Sequence, residues 1–307
     1  MKIPFFDAHC DTVSRGSYHH WPLRENPGHI DLERARALSR YAQLFALFGE
    51  VNEVPKGQMW DVCCALHDRL LEELAENSEC IALCRNGAEI DAAVEEGLAA
   101  ALLSIESADL LDCCIDRIET VAQWGTRFMN LTWNDPNIIS GTNSREKDRG
   151  LSAHGEDFVR ELESNNIYVD VSHLSDPGFW DLVKMARRPI VASHSNARAL
   201  CSHSRNLTDD MFRAIRDSGG VVGLNFYRTF VGGSGDVDAL IAHLEHFLAL
   251  GGEKTVCFGS DMDGCNPLVE GLEGLQSVPK LYEELRRRGY GESLLEDIFW
   301  NNLRRLF

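Results

Sequence analysis

An eight-stranded β/α barrel is the fold this sequence predicts, on three observations. Short apolar runs rich in Val, Ile, Phe and Leu alternate with longer amphipathic stretches, as parallel strands and crossover helices do. Eight such runs occur, and no Pro/Ser-rich linker, charge block or repeat separates them, so residues 1–307 read as a single domain. A doubly wound open sheet is the alternative, but the first strand is not followed by its Gly-rich phosphate loop.

The expected strands are IPFFD at 3–7, AQLFALF at 42–48, AALLSI at 100–105 and RFMNL at 127–131, then YVDV at 168–171, IVA at 190–192, VVGLN at 221–225 and TVCFG at 255–259. Helical patterns fill the intervals: MWDVCCALHDRLLEELAEN, GEDFVRELESNN, DPGFWDLVKMARR, LTDDMFRAIRDSG and DVDALIAHLEHFLALGG, with VPKLYEELRRRG and ESLLEDIFWNNLRRLF after the last strand. Several begin at Asp, Ser or Thr and end at Gly or Asn, the residues that satisfy free backbone groups at helix ends.

Composition narrows the function classes. The chain is 44% hydrophobic and 25% charged, enough for a large core. Its 30 Lys+Arg against 48 Asp+Glu give 30 − 48 = −18, which argues against nucleic acid or an anionic membrane as partner. The RRR at 286–288 fits a solvated helix face. No signal pattern precedes Phe5 and no apolar run approaches a bilayer span, so a cytoplasmic protein is expected. Ten cysteines include adjacent pairs and no C-x-x-C, which reads as reduced, mostly buried thiols.

Active sites of such barrels form at the C-terminal strand ends. There the sequence places His9 and Asp11 (first strand), Glu106 (third), His173 (fifth), His194 (sixth) and Asp261 (eighth). Imidazole and carboxylate ligate zinc-type metals. Three of each exceed one tetrahedral ion and suit two ions about 3.5–4 Å apart, bridged by a carboxylate and a water. Each residue alone has a structural reading: a chance H-x-D, a core or capping histidine, turn aspartates at 261 and 263 beside Gly264. Their coincidence at five of eight strand ends is what points to a site. His19 and His20 fall in a polar loop, His67 on a helix, and His243 with His246 on an expected exposed helix face; His203 stays open.

The motifs DAHCDT, GQMW, IESAD, GTRFMNLTWN, GLSAHGEDFVRELESNNIYVDVSHLS, PIVASHSNARALCSHSRNLTDD, VVGLNFY, FGSDMDG, EGLEGL and NNLRRLF occur in one order over nearly the whole chain. In this the sequence resembles the membrane (renal) dipeptidase family, zinc enzymes of the amidohydrolase superfamily. The resemblance implies a distorted (β/α)8 barrel with two zinc ions per chain: His9 and Asp11 on one, His173 and His194 on the other, Glu106 bridging. It further implies that Arg205 grips the substrate's C-terminal carboxylate and that Asp261 handles the proton; Trp133, Asn225 and Tyr227 are further candidate substrate contacts. The position of Trp133 is a histidine in the animal enzymes, and the secretion signal and lipid-anchor tail of those enzymes are not expected here.

The expected activity is dipeptide hydrolysis, a metal-bridging hydroxide attacking the amide while Asp261 protonates the leaving amine. Related readings are a small-amide, N-acyl amino acid or lactone hydrolase, or a non-catalytic metal-binding barrel. The expected partner is a small-molecule dipeptide, with a homodimer left open.

Overall fold

The computed structural model describes residues 3–307. Its strands are β1 (Pro4–Cys10), β2 (Arg40–Leu47), β3 (Ile81–Leu83), β4 (Ala99–Ile105), β5 (Thr126–Asn130), β6 (Tyr168–Asp170), β7 (Val191–Ala192), β8 (Val221–Leu224) and β9 (Val256–Phe258). All pair in parallel, and the order β2-β1-β9-β8-β7-β6-β5-β4 closes through β4 and β2. The eight strands expected from the sequence are therefore the eight of a closed barrel.

β3 was not expected, and it pairs with β4 alone, outside the closed ring. β2 pairs along β4 from Ala100 to Ile105. On the opposite edge of β4, β3 takes Ala99–Ala101 and β5 takes only Leu103–Ile105, with a register shift. Three residues, IAL, are too short to give a readable period.

Alternation along the strands divides the core in two. Phe6, Ala8, Ala42, Leu44, Ala100, Leu102, Phe128, Val191, Val221 and Cys257 fill the barrel, closed below by Trp300, Leu303 and Leu306. Phe5, Cys10, Phe45, Leu103, Val222 and Phe258 face outward to the helices. Each buried Phe contributes about 1.5–3 kcal/mol relative to exposure. Small side chains matter where strands crowd: a Cβ on Gly259 would stand 1.6 Å from the Ser193 carbonyl oxygen.

Two of the helix caps, Thr208 and Asp236, fall within the expected helical stretches, whereas Ser152 and Ser175 precede the stretches expected from Gly155 and Asp176. Ser152, Ser175, Thr208 and Asp236 accept from the N–H of Gly155, Gly178, Met211 and Ala239, opening helices Ala153–Ser164, Asp176–Met185, Asp209–Asp217 and Val237–Ala249. Among the described residues, no helix is long and apolar enough to cross a membrane.

Candidate metal centre and cleft

A bulge in β1 brings the first two candidate ligands inward. From Asp7 to Cys10 is three residues, while their β2 partners, Gln43 and Phe45, are two apart. The extra residue interrupts the alternation. Without it, His9 would face outward with Phe5 and Asp7; with it, His9 and Asp11 turn to the mouth while Cys10 packs in the outer core.

The six strand-end residues come together. His9 Nε2 lies 3.3 Å from Asp11 Oδ2, 3.6 Å from Glu106 Oε2 and 3.9 Å from Asp261 Oδ1. The other Glu106 oxygen, Oε1, lies 3.0 Å from His173 Nε2 and 3.7 Å from His194 Nε2. Glu106 thus presents one oxygen to each side. Donor atoms of His9, Glu106 and His194, and of His9, Asp11 and Asp261, fall within 4.8 Å of one another. His9 and His194 also stack, their ring centroids 4.0 Å apart.

Neighbours hold the imidazoles of His173 and His194 in place. Asn134 Oδ1 lies 3.1 Å from His173 Nδ1, an acceptor that holds the proton there. Arg205 Nη2 lies 2.9 Å from His173 Nε2 and, as a donor, marks that nitrogen as the acceptor. Ser193 Oγ holds His194 Nδ1 at 2.6 Å. This is how ligand imidazoles are oriented.

Electrostatics favour a cation at the same place. Burial pushes His9 down, but the carboxylates of Glu106, Asp11 and Asp261 outweigh it and raise its pKa to about 10. Burial, then Asp11, holds the Glu106 carboxyl well above its usual range, and burial raises Asp261. Burial, with Arg205 and His9, keeps His173 and His194 well below theirs, hence neutral. Crowded carboxylates short of positive charge, facing neutral imidazole lone pairs, suit divalent metal. Among the described residues, His9 Nε2 and Asp11 Oδ1 are buried without a hydrogen-bond partner. A Cβ on Gly264 would stand 2.0 Å from Asp11 Oδ2 and 2.5 Å from Asp261 Oδ1, so its backbone can sit against the donors. The donor set fits metal. Backbone conformation marks the same mouth: Ser107, His173, Asp261 and Asp263 adopt φ of 85°, 76°, 59° and 66°, rare for residues with a Cβ.

Above the donors opens a cleft of about 590 Å³ lined by Phe48, Trp133, Arg205, Tyr227, Phe230 and Asp261, among others. Trp133 and Phe48 pack together, centroids 4.8 Å apart, and Trp133 lies 6.2 Å from His173. Arg205 is buried, with Nε and Nη1 unpartnered among the described residues.

Other placements differ from expectation. Asn225 is fully buried, its amide spent on Asp261 Oδ2 (2.9 Å) and on the Tyr227 N–H (2.6 Å), which puts it behind Asp261 and off the cleft wall. His243, expected on a solvent face, is 1% exposed. Asp263 ties loops, accepting from Thr12 Oγ1 and the His29 N–H. Asn134 and Ser193 were missed; the available signal was a short polar residue beside Trp133 or a ligand histidine.

Fold and donor set together are those of a metal-dependent hydrolase. The profile of the membrane dipeptidase family, peptidase family M19, matches residues 1–307, and the chain belongs to that family as a metallo-dipeptidase. It is similar to an uncharacterized protein in the pqqA 5′ region of Klebsiella pneumoniae, 35% identical over 245 residues, covering 76% of this chain and 90% of that protein. Among solved structures it resembles the dipeptidase AC, an M19 metallo peptidase, with TM-score 0.91 and 27% identity, covering 100% of this chain and 98% of that one. It also resembles a metallo peptidase from Rhodobacter sphaeroides liganded with a phosphinate mimic of the dipeptide L-Ala-D-Ala, with TM-score 0.90 and 26% identity, covering 100% and 99%.

Proposed function

We propose that residues 1–307 act as one hydrolase unit that cleaves dipeptides with two zinc ions at the barrel mouth. The observation that carries this reading is Glu106, whose Oε2 faces His9 and whose Oε1 faces His173 and His194. In it His9 and Asp11 would hold one ion and His173 and His194 the other, with Glu106 offering a carboxylate oxygen to each side. Bound zinc supplies a nucleophile at neutral pH by acidifying water, and polarises the scissile carbonyl.

The protein's own groups do the rest. Arg205, whose Nε and Nη1 are unpartnered among the described residues, brings its planar guanidinium to the substrate's terminal carboxylate. Asp261 delivers a proton to the departing amine from Oδ1, because Oδ2 is tied to Asn225. Tyr227 lines the carboxylate end of the cleft beside Arg205, and Trp133 with Phe48 forms an apolar wall. That wall also suits an acyl chain, which supports N-acyl amino acids as second substrates. Ten free thiols support a cytoplasmic setting.

Elemental analysis of protein never exposed to chelator, with turnover of L,L and L,D dipeptides, N-acyl amino acids and lactones, tests this. About two zinc ions per chain and preference for dipeptides are expected; full activity without metal would overturn it. Arg205→Lys is expected to raise KM for free dipeptides far more than for their C-terminal amides, since lysine keeps the charge and loses the fork. Equal effects on both would make Arg205 structural.

Trp133→His should leave metal content unchanged. Losing the apolar wall weakens binding of bulky side chains by about 1–3 kcal/mol, so the bulky-to-small ratio of kcat/KM should fall about tenfold. A lower melting temperature with an unaltered ratio would instead make Trp133 a packing residue.

A further inference from the structure

The buried imidazole of His243 has no part in the chemistry above, yet both its nitrogens are engaged across two active-site loops. It lies on helix Val237–Ala249, outside the barrel. The Ala197 N–H donates to Nδ1 at 3.0 Å, and Nε2 lies 2.9 Å from the Val231 carbonyl oxygen. A backbone N–H can only donate and a carbonyl can only accept, so the ring is neutral with its proton on Nε2.

Each contact sits at the base of a loop that builds the cleft. Ala197 follows His194 by three residues and bridges in parallel to Leu207, through Leu207 N–H to Asn196 O and Arg198 N–H to Leu207 O, both 2.8 Å. That bridge closes residues 197–207, the loop carrying Arg205. Val231 ends the short helix Arg228–Val231, which follows Asn225 and Tyr227. The same two loops are joined by Asn196 to Asn225 through reciprocal amide bonds of 2.9 and 3.0 Å, and by Asn206 Nδ2 to Phe230 O at 2.8 Å. Among the described residues the Arg205 side chain hydrogen-bonds His173 and lies over the Phe230 ring, so its placement depends on the loop's backbone.

We propose that His243 is a positioning residue: it fixes the base of the Arg205 loop through Ala197 and so sets where the guanidinium meets the substrate carboxylate. The inference rests on the reading that Arg205 grips that carboxylate.

Two near-isosteric substitutions separate the two ends of the clamp. His243→Asn places an acceptor where Nδ1 stands and keeps the Ala197 contact. His243→Gln places a donor where Nε2 stands and keeps only the Val231 contact. Each leaves one backbone group unpaired, so melting temperature should fall similarly in both. KM should not. With matched dipeptides and dipeptide amides, and bound metal measured alongside, His243→Gln is expected to raise KM for the free acid about tenfold, with kcat within about twofold and the amide unaffected. His243→Asn is expected to stay near the wild-type KM. Equal KM values in the two variants, or equal rises for acid and amide, would overturn the positioning role. A wild-type enzyme that does not distinguish acid from amide would overturn the carboxylate reading, and this inference with it.

Discussion

Glu106→Gln is expected to strip the metal centre and to lower kcat/KM by about a thousandfold or more, about 4 kcal/mol of transition-state stabilisation. The substitution keeps shape and removes one charge, and an amide nitrogen cannot ligate. Because Oε2 serves His9 and Oε1 serves His173 and His194, either amide orientation sacrifices one side. Zinc per chain should therefore drop from about two toward one or none. The folded apoprotein should not suffer in the same way. Burial, reinforced by Asp11, holds the Glu106 carboxyl well above its usual range, so the folded chain binds more protons here than the unfolded one. An ionised Glu106 thus subtracts from apoprotein stability once pH exceeds the ordinary glutamate value, and replacing it removes that cost. The same carboxylate helps hold His9 protonated, and losing that pairing opposes the gain, so melting curves of metal-free wild type and variant should nearly coincide. A variant that retains two metals and its rate would mean that Glu106 does not bridge.

The barrel was legible because its strands are largely buried, mostly apolar runs separated by capped amphipathic helices, and each signal is local. The site was legible because histidine and carboxylate at strand ends have few structural reasons to coincide. What escaped depends on partners distant in sequence. The β1 bulge is a mismatch between two strands, visible only once Asp7 and Cys10 are set against Gln43 and Phe45. Asn225 falls at a strand end like a ligand, but its amide is consumed by Asp261 and the Tyr227 N–H. His243 was partly readable: Leu240, Leu244 and Phe247 are buried, and position 243 lies on their stripe at spacings of three, one and four. Polarity alone assigned it to solvent, whereas burial with both nitrogens satisfied is the other stable solution.

Asp261→Asn should separate proton delivery from metal binding. The fold is expected to tolerate it: Asp261 has φ 59°, and asparagine adopts that region as readily as aspartate. The substituted carbonyl oxygen can still accept from Asn225 Nδ2, as Asp261 Oδ2 does at 2.9 Å. What disappears is a proton to give. General acid catalysis contributes about 10²–10⁴-fold, so kcat for dipeptides should fall by that factor while KM changes little. The loss should depend on the leaving group. An amine must be protonated to depart, whereas the alkoxide of the matching ester analogue needs less help, so the ester should lose at least about tenfold less than the amide. Geometry leaves one rival, because Asp261 Oδ1 lies 3.9 Å from His9 Nε2, within the donor group that includes Asp11. As a ligand, Asp261 would take a metal ion with it when substituted, and ester and amide would lose rate together. Unchanged zinc with a selective loss of amide turnover is the expected result; depleted zinc with parallel losses would make Asp261 a ligand and leave the proton carrier to be sought elsewhere.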